Sequence, residues 1–170
     1  LSLSDGGRIR LSRGVHDALE DFRWLHSNIS HRPTRLYDLV EQVPSATGTV
    51  DASGLGMGGV VFRIRNASLP PILWRARFPS DIAQQLVSFE NPTGSVTNSD
   101  LELAGSLMQH EAYTHTSDIR ERTTHTGCNN TPAAVWQHRG SVTTASPPAY
   151  LLRIQALHQQ FHWYHPTLIY

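Results

Sequence analysis

The spacing of apolar positions changes several times along the chain, and each change marks an element. From Ser12 to Ile29 (SRGVHDALEDFRWLHSNI), Val15, Leu19, Phe22, Leu25 and Ile29 recur at helical spacing, with Ser12 placed to cap the start. This predicts a surface helix with one buried stripe. After Arg32-Pro33, the set Leu36, Leu39, Val40 and Val43 predicts a second short helix that ends before Pro44. The period then shortens. Thr49 to Ala52 (TVDA), Met57 to Ile64 (MGGVVFRI) and Ile72 to Phe78 (ILWRARF) are separated by Ser53-Gly54-Leu55-Gly56 and by Asn66 to Pro71. Short β-rich runs with such punctuation predict three strands in an antiparallel meander. Ser80 to Glu90 has no clear period and reads as a turn of helix and a loop closed by Asn91-Pro92.

From Asn98 the helical period returns, with Leu101, Ala104, Leu107, Met108 and Ala112 on one face, Asn98 or Ser99 as the cap, and an end near His115. Glu121 to Asn129 is rich in β-branched Thr and reads as a strand ending at Gly127-Cys128. Thr131-Pro132 reads as the cap and first residue of a helix over Ala133 to His138, stopped by Gly140. Ser146-Pro147-Pro148 opens a longer helix whose apolar face is Tyr150, Leu151, Ile154, Leu157, Phe161 and Tyr164. His165-Pro166 breaks it, and TLIY (Thr167 to Tyr170) reads as a final strand. The fold class is α/β: a mixed five-stranded sheet flanked by helices. Residues 1–47 form an N-terminal helical appendage, too small to hold its own core and expected to pack on residues 48–170.

Composition narrows the possible functions. The chain has 170 residues, of which 39% are hydrophobic and 16% charged, with 14 basic against 14 acidic residues. That balance excludes general disorder and a generically basic nucleic-acid coat, so any polyanion site is local. Every basic residue is Arg, a clue to codon usage and origin more than to phosphate binding. The single cysteine, Cys128, excludes an internal disulfide and a four-thiolate zinc site and fits a reducing compartment. No apolar run approaches the roughly 20 residues of a membrane span. The expectation is a soluble intracellular protein without a membrane partner.

The order of three strands, a helix, a strand, two helices and a strand resembles the ribonuclease H fold, and four motifs carry the likeness. TVDASGLGMGGVVF (Thr49 to Phe62) resembles the first hairpin with its metal-binding Asp, and NSDLELAGSLMQHEA (Asn98 to Ala112) the helix with its metal-binding Glu. TGCNNTPAAVWQHRGS resembles the fourth strand and its following helix, and AYLLRIQALHQQFHWYHPTLIY the closing helix and fifth strand. The style is that of ribonuclease H domains attached to reverse transcriptases of retroelements, whose connection segment the N-terminal appendage resembles. The resemblance implies Mg²⁺-dependent hydrolysis of RNA in RNA/DNA hybrids, with Mn²⁺ as a substitute. Two ions about 4 Å apart activate water and stabilise the leaving oxygen in such sites. Asp51 and Glu102 are the implied metal ligands. Taken singly, Asp51 is also an ordinary turn residue before Ser-Gly, and Glu102 an ordinary dipole partner near a helix start.

Two departures bear on activity. The family's third carboxylate, at the end of the fourth strand, is replaced by Asn129, which offers one neutral oxygen and so weakens metal binding. The fourth carboxylate belongs to a helix after the fifth strand, and the sequence reaches Tyr170 before it, so the domain reads as truncated before its last helix. The reading is therefore an impaired ribonuclease H-like endonuclease with catalytic positions Asp51, Glu102 and Asn129. The alternative is a catalytically inactive module that binds nucleic acid or a protein partner.

Candidate contacts to nucleic acid are Ser53 and Gly54 in the first turn, Asn98 and Ser99 at the long helix, and Asn130, Gln137, His138, Arg139 and Ser141 around the next helix. Arg63, Arg65, Arg75 and Arg77 alternate on neighbouring strands and form one basic sheet face, or an ordinary solvent face. Trp74, Trp136 and Trp163 read as packing residues. His158, His162 and His165 lie at i, i+4 and i+7, a spacing that binds zinc. Because His165 precedes Pro166 and no carboxylate or cysteine stands nearby in sequence, that helix face reads as solvated.

Overall fold

A computed structural model describes residues 3–4, 8–9, 11–29, 43–64, 68–142 and 146–170. The chain divides into two compact units, Leu1–Val40 and Glu41–Tyr170. In the first, β1 (Leu3–Ser4) pairs antiparallel with β2 (Arg8–Ile9), and α1 spans Arg13–Ile29. Ser12 caps α1 as its sequence position implies, its hydroxyl accepting from the Val15 N–H at 3.4 Å. The expected buried stripe is not buried throughout: Phe22 is 68% and Val15 39% exposed. The short helix expected between Leu36 and Val43 falls almost wholly outside the described residues.

The second unit is built on a five-stranded sheet ordered β5-β4-β3-β6-β7. Its strands are β3 (Ala46–Ser53), β4 (Gly56–Phe62), β5 (Ile72–Ala76), β6 (Thr123–Cys128) and β7 (His165–Ile169). β3, β4 and β5 form the antiparallel meander, whereas β6 and β7 join parallel to β3. This is the mixed five-stranded sheet flanked by helices that the order of elements implied. The helices are α2 (Ser80–Gln84), α3 (Asn98–Thr116), α4 (Thr131–Arg139) and α5 (Pro147–His162). None of the helices among the described residues is long and apolar enough to cross a membrane.

β3 alternates strictly. Ala46, Gly48, Val50 and Ala52 are buried under α3, while Thr49, Asp51 and Ser53 are exposed. Val50, Leu103, Cys128, Ala133 and Leu152 form one core cluster, and Ala46, Val61, Tyr113, Ile119 and Tyr164 another. Between sheet and helix lies a buried amide, Gln109, whose Nε2 donates to the Val60 carbonyl at 2.9 Å and whose Oε1 accepts from Trp74 Nε1 at 2.5 Å. Gly59 makes room for it, since a Cβ there would fall 2.3 Å from Gln109 Oε1 and 2.7 Å from the Thr49 carbonyl. Trp74 is thus a packing residue, as expected.

The caps and one helix face depart from expectation. Thr97 caps α3, not Asn98 or Ser99: Thr97 Oγ1 accepts from the Asp100 N–H at 3.3 Å, and the Asp100 carboxylate accepts from the Thr97 N–H at 2.6 Å. Asn130 caps α4, not Thr131, by accepting from the Ala133 N–H at 3.0 Å. On α5 the residues facing inward are Pro148, Leu152 and Gln155, while Tyr150 is 63% and Phe161 76% exposed. The docked seam lies one residue away from the expected apolar face because polar side chains, Gln155 and His158, carry part of it. Arg63 and Arg77 each follow the end of a strand, Arg63 half-buried and Arg77 exposed, and Arg65 lies outside the described residues. Among the described residues the exposed arginines of the meander are Arg75 and Arg77.

Candidate active site

Parallel pairing of β3 and β6 brings two strand ends together. Val50 pairs with Cys128, so Asp51 and Asn129, each one residue further on, stand beside one another at the carboxyl ends of adjacent strands. In α/β sheets this end is where ligands gather, because loops diverge there and leave a crevice. The capping box fixes the start of α3, and one turn later Glu102 points back at the end of β3. Glu102 is only 2% exposed. It hydrogen-bonds to the Asp51 carboxyl and accepts from the Ala52 backbone N–H.

Two carboxyls in contact cannot both ionise cheaply. Burial first, then the Asp51 charge, push Glu102 up to about 7, overcoming the downward pull of the Ala52 amide. Near neutral pH Glu102 is therefore partly protonated, where an ordinary glutamate would be fully ionised. Its Oε2 is buried with no hydrogen-bond partner. A paired carboxyl set with one orphaned oxygen is an anionic nest short of a cation, and hard divalent ions bind through such oxygens. Asp51 and Glu102 thus fit Mg²⁺ or Mn²⁺. The Cys128 thiol beside them is raised by burial and by both carboxylates, which keeps it protonated and unsuited to act as a nucleophile.

Asp51 also opens onto the exposed sheet face. Across the meander Asp51 pairs with Gly58 and Gly58 with Arg75, so Asp51 and Arg75 share a face with no side chain between them. Asp51, Ser53, Gly56, Gly58, Arg75 and Arg77 line an open groove of about 620 Å³. One wall carries the carboxylate and the other two arginines, which suits a phosphodiester strand running between them.

The remaining candidates divide by position. Asn129 is exposed beside Asp51, and Ser53 and Gly54 lie at the turn of the same hairpin. Asn98 and Ser99 begin α3, a turn ahead of Glu102. Asn130 spends its side chain on capping, and Gln137 faces inward, with its Oε1 accepting from Ser106 Oγ at 2.7 Å. His138, Arg139 and Ser141 are exposed at the far end of α4. His165 is exposed on β7, whereas His158 and His162 face Glu111 of α3. Sequence spacing missed Glu111 because it and His158 lie 47 residues apart.

No family model matches the sequence, and no curated protein does. Among solved structures the chain is similar to RNase H1 from the halophilic archaeon Halobacterium salinarum NRC-1. That match has 11% identity and a TM-score of 0.45, covering 73% of this chain and 83% of the other.

Proposed function

We propose that the chain is a retroelement-derived, ribonuclease H-type domain that engages the RNA strand of RNA/DNA hybrids at Asp51 and Glu102, with hydrolysis impaired by Asn129. The observation that carries this reading is the contact between the Asp51 and Glu102 carboxyls, with a buried, orphaned Glu102 oxygen, at the carboxyl ends of parallel strands. The retroelement origin rests on the four sequence motifs. Asp51 and Glu102 would hold the divalent ion, which when bound supplies Lewis-acid stabilisation of charge on the phosphodiester. Arg75 and Arg77, across the glycine floor from Asp51, hold the strand by its phosphates. Asn129 adds an amide oxygen where the resemblance implies a carboxylate, so the site lacks one negative charge.

That missing charge also favours a second reading, a binding module for nucleic acid or a protein partner without turnover. A single set of measurements separates the two. With an RNA/DNA hybrid and Mg²⁺ or Mn²⁺, the expected result is slow cleavage that Asp51→Asn abolishes and Asn129→Asp raises by about tenfold or more. Binding that weakens steeply with salt, and weakens further in Arg75→Ala/Arg77→Ala, without any cleavage even in Asn129→Asp, establishes the binding module. Absence of salt-dependent binding removes the nucleic-acid reading altogether.

A further inference from the structure

A second group of ligating side chains lies away from Asp51, where the middle of α3 meets the end of α5. His158 and His162, one turn apart on α5, stand with ring centroids 4.4 Å apart. Glu111 of α3 faces them, its Oε2 2.8 Å from His158 Nε2. One ligand atom from each of Glu111, His158 and His162 lies within 4.8 Å of the other two. We propose that Glu111, His158 and His162 form a binding site for a first-row transition ion, zinc above all, which clamps α3 to α5.

The donor set matches the ion. Imidazole nitrogen and carboxylate oxygen, in a two-to-one ratio, suit zinc and its borderline neighbours, whereas Mg²⁺ demands oxygen throughout. Ligands on a tetrahedral ion with bonds of about 2.0–2.2 Å lie roughly 3.3–3.5 Å apart, so small side-chain rotations about positions already within 4.8 Å close the shell. Three protein ligands leave the fourth position to water or an incoming ligand. His115 Nε2 stands 2.9 Å from the other Glu111 oxygen and helps to orient that carboxylate.

The ring behind His158 is already built for this role. His158 Nδ1 lies 2.8 Å from the Tyr164 hydroxyl. Tyr164 is itself 7% exposed and fixed by stacking on buried His110, with centroids 5.2 Å apart. A metal-bound imidazole needs its other nitrogen protonated and engaged, and the Tyr164 oxygen can accept that hydrogen bond. The 2.8 Å approach of His158 Nε2 to Glu111 Oε2 marks the place for the ion. On binding, the ion takes that place while His158 carries its proton on Nδ1. His165, the third histidine of the sequence pattern, stands apart on β7, and Glu111 replaces it as third ligand.

The site is independent of the Asp51 and Glu102 reading and can be tested apart from it. Cobalt(II) is the probe, titrated into the full chain in millimolar Mg²⁺ so that the carboxylate site is occupied. The expected result is one equivalent of four- or five-coordinate cobalt, visible by its intense d–d absorption and displaced by one equivalent of Zn²⁺. His158→Ala/His162→Ala should abolish those bands, and Tyr164→Phe should weaken cobalt binding by about tenfold or more. Asp51→Asn/Glu102→Gln should leave them intact. Circular dichroism of each variant separates loss of ligand from loss of fold, and Glu111→Gln, which keeps size and hydrogen bonding, serves where alanine unfolds the chain. Bands that persist in the double histidine variant or in Glu111→Gln, bands that vanish in Asp51→Asn/Glu102→Gln, or a wild type that leaves cobalt octahedral would each overturn the proposal.

Discussion

At Glu102 a carboxyl only 2% exposed is lodged against Asp51, and its folded proton affinity is raised from 4.5 to about 7. Between those two values the folded chain holds a proton that the unfolded chain releases, so stability falls as pH rises through that window and stays low above it. Glu102→Gln keeps the shape and removes the charge. At about pH 8 it should be more stable than wild type by about 1–3 kcal/mol, and below about pH 4 the two should melt alike. Thermal melts across that range check this, and wild-type stability that does not fall between about pH 5 and 8 would sink it. Because a divalent ion binds the ionised form, Mg²⁺ should raise the wild-type melting temperature at about pH 8 more than that of Glu102→Gln. Both carboxylates were legible in the sequence, one in a β-rich run before Gly and the other early in a strongly periodic helix. Their convergence was implied by the family resemblance alone, since nothing local specifies the angle at which α3 crosses β3. Glu111 was illegible as a ligand for the same reason: its partners come from another helix.

Among the elements, α3 carries both clusters, Glu102 near its start and Glu111 two to three turns later, so its N-terminal anchor governs their placement. Thr97 and Asp100 exchange hydrogen bonds in a capping box, and the Thr97 hydroxyl also donates to the Asp100 carboxylate at 2.9 Å. Thr97→Ala should cost about 1 kcal/mol in chemical denaturation, with Thr97→Ser recovering most of it. Equal losses for the two substitutions would show that the hydroxyl is not the anchor. The T-x-x-D spacing was present in the sequence, but Asn98 and Ser99 are equally good caps by residue type, and only backbone geometry separates them. The periodicity of α5 gave the right helix but the wrong seam. Hydrophobicity weights Tyr150 and Phe161 towards the core, whereas Gln155, 3% exposed, and the hydrogen-bonded His158 occupy it instead. An offset of one residue turns a helix by about 100°, enough to carry large apolar side chains into solvent.

For the molecule as a whole, the order of strands and helices was readable because each element carries its own local signal: turns at glycine and proline, helices at regular spacing, strands rich in β-branched residues. The sheet order then follows from short connections within the meander and crossovers into parallel strands. This order leaves β5 and β7 at the two margins, and among the described strands β7 pairs only with β6. His165 gives its N–H to the Arg122 carbonyl on the β6 side, so the next amide along the strand faces outward. That residue is Pro166, which has no hydrogen to offer. A second copy laid against this margin would meet a ladder with a missing rung, an arrangement that discourages open-ended growth of the sheet from chain to chain. Pro166→Val restores the donor, and light scattering should then detect association that rises with concentration beyond that of wild type. Unchanged scattering would mean that proline is not what guards this border.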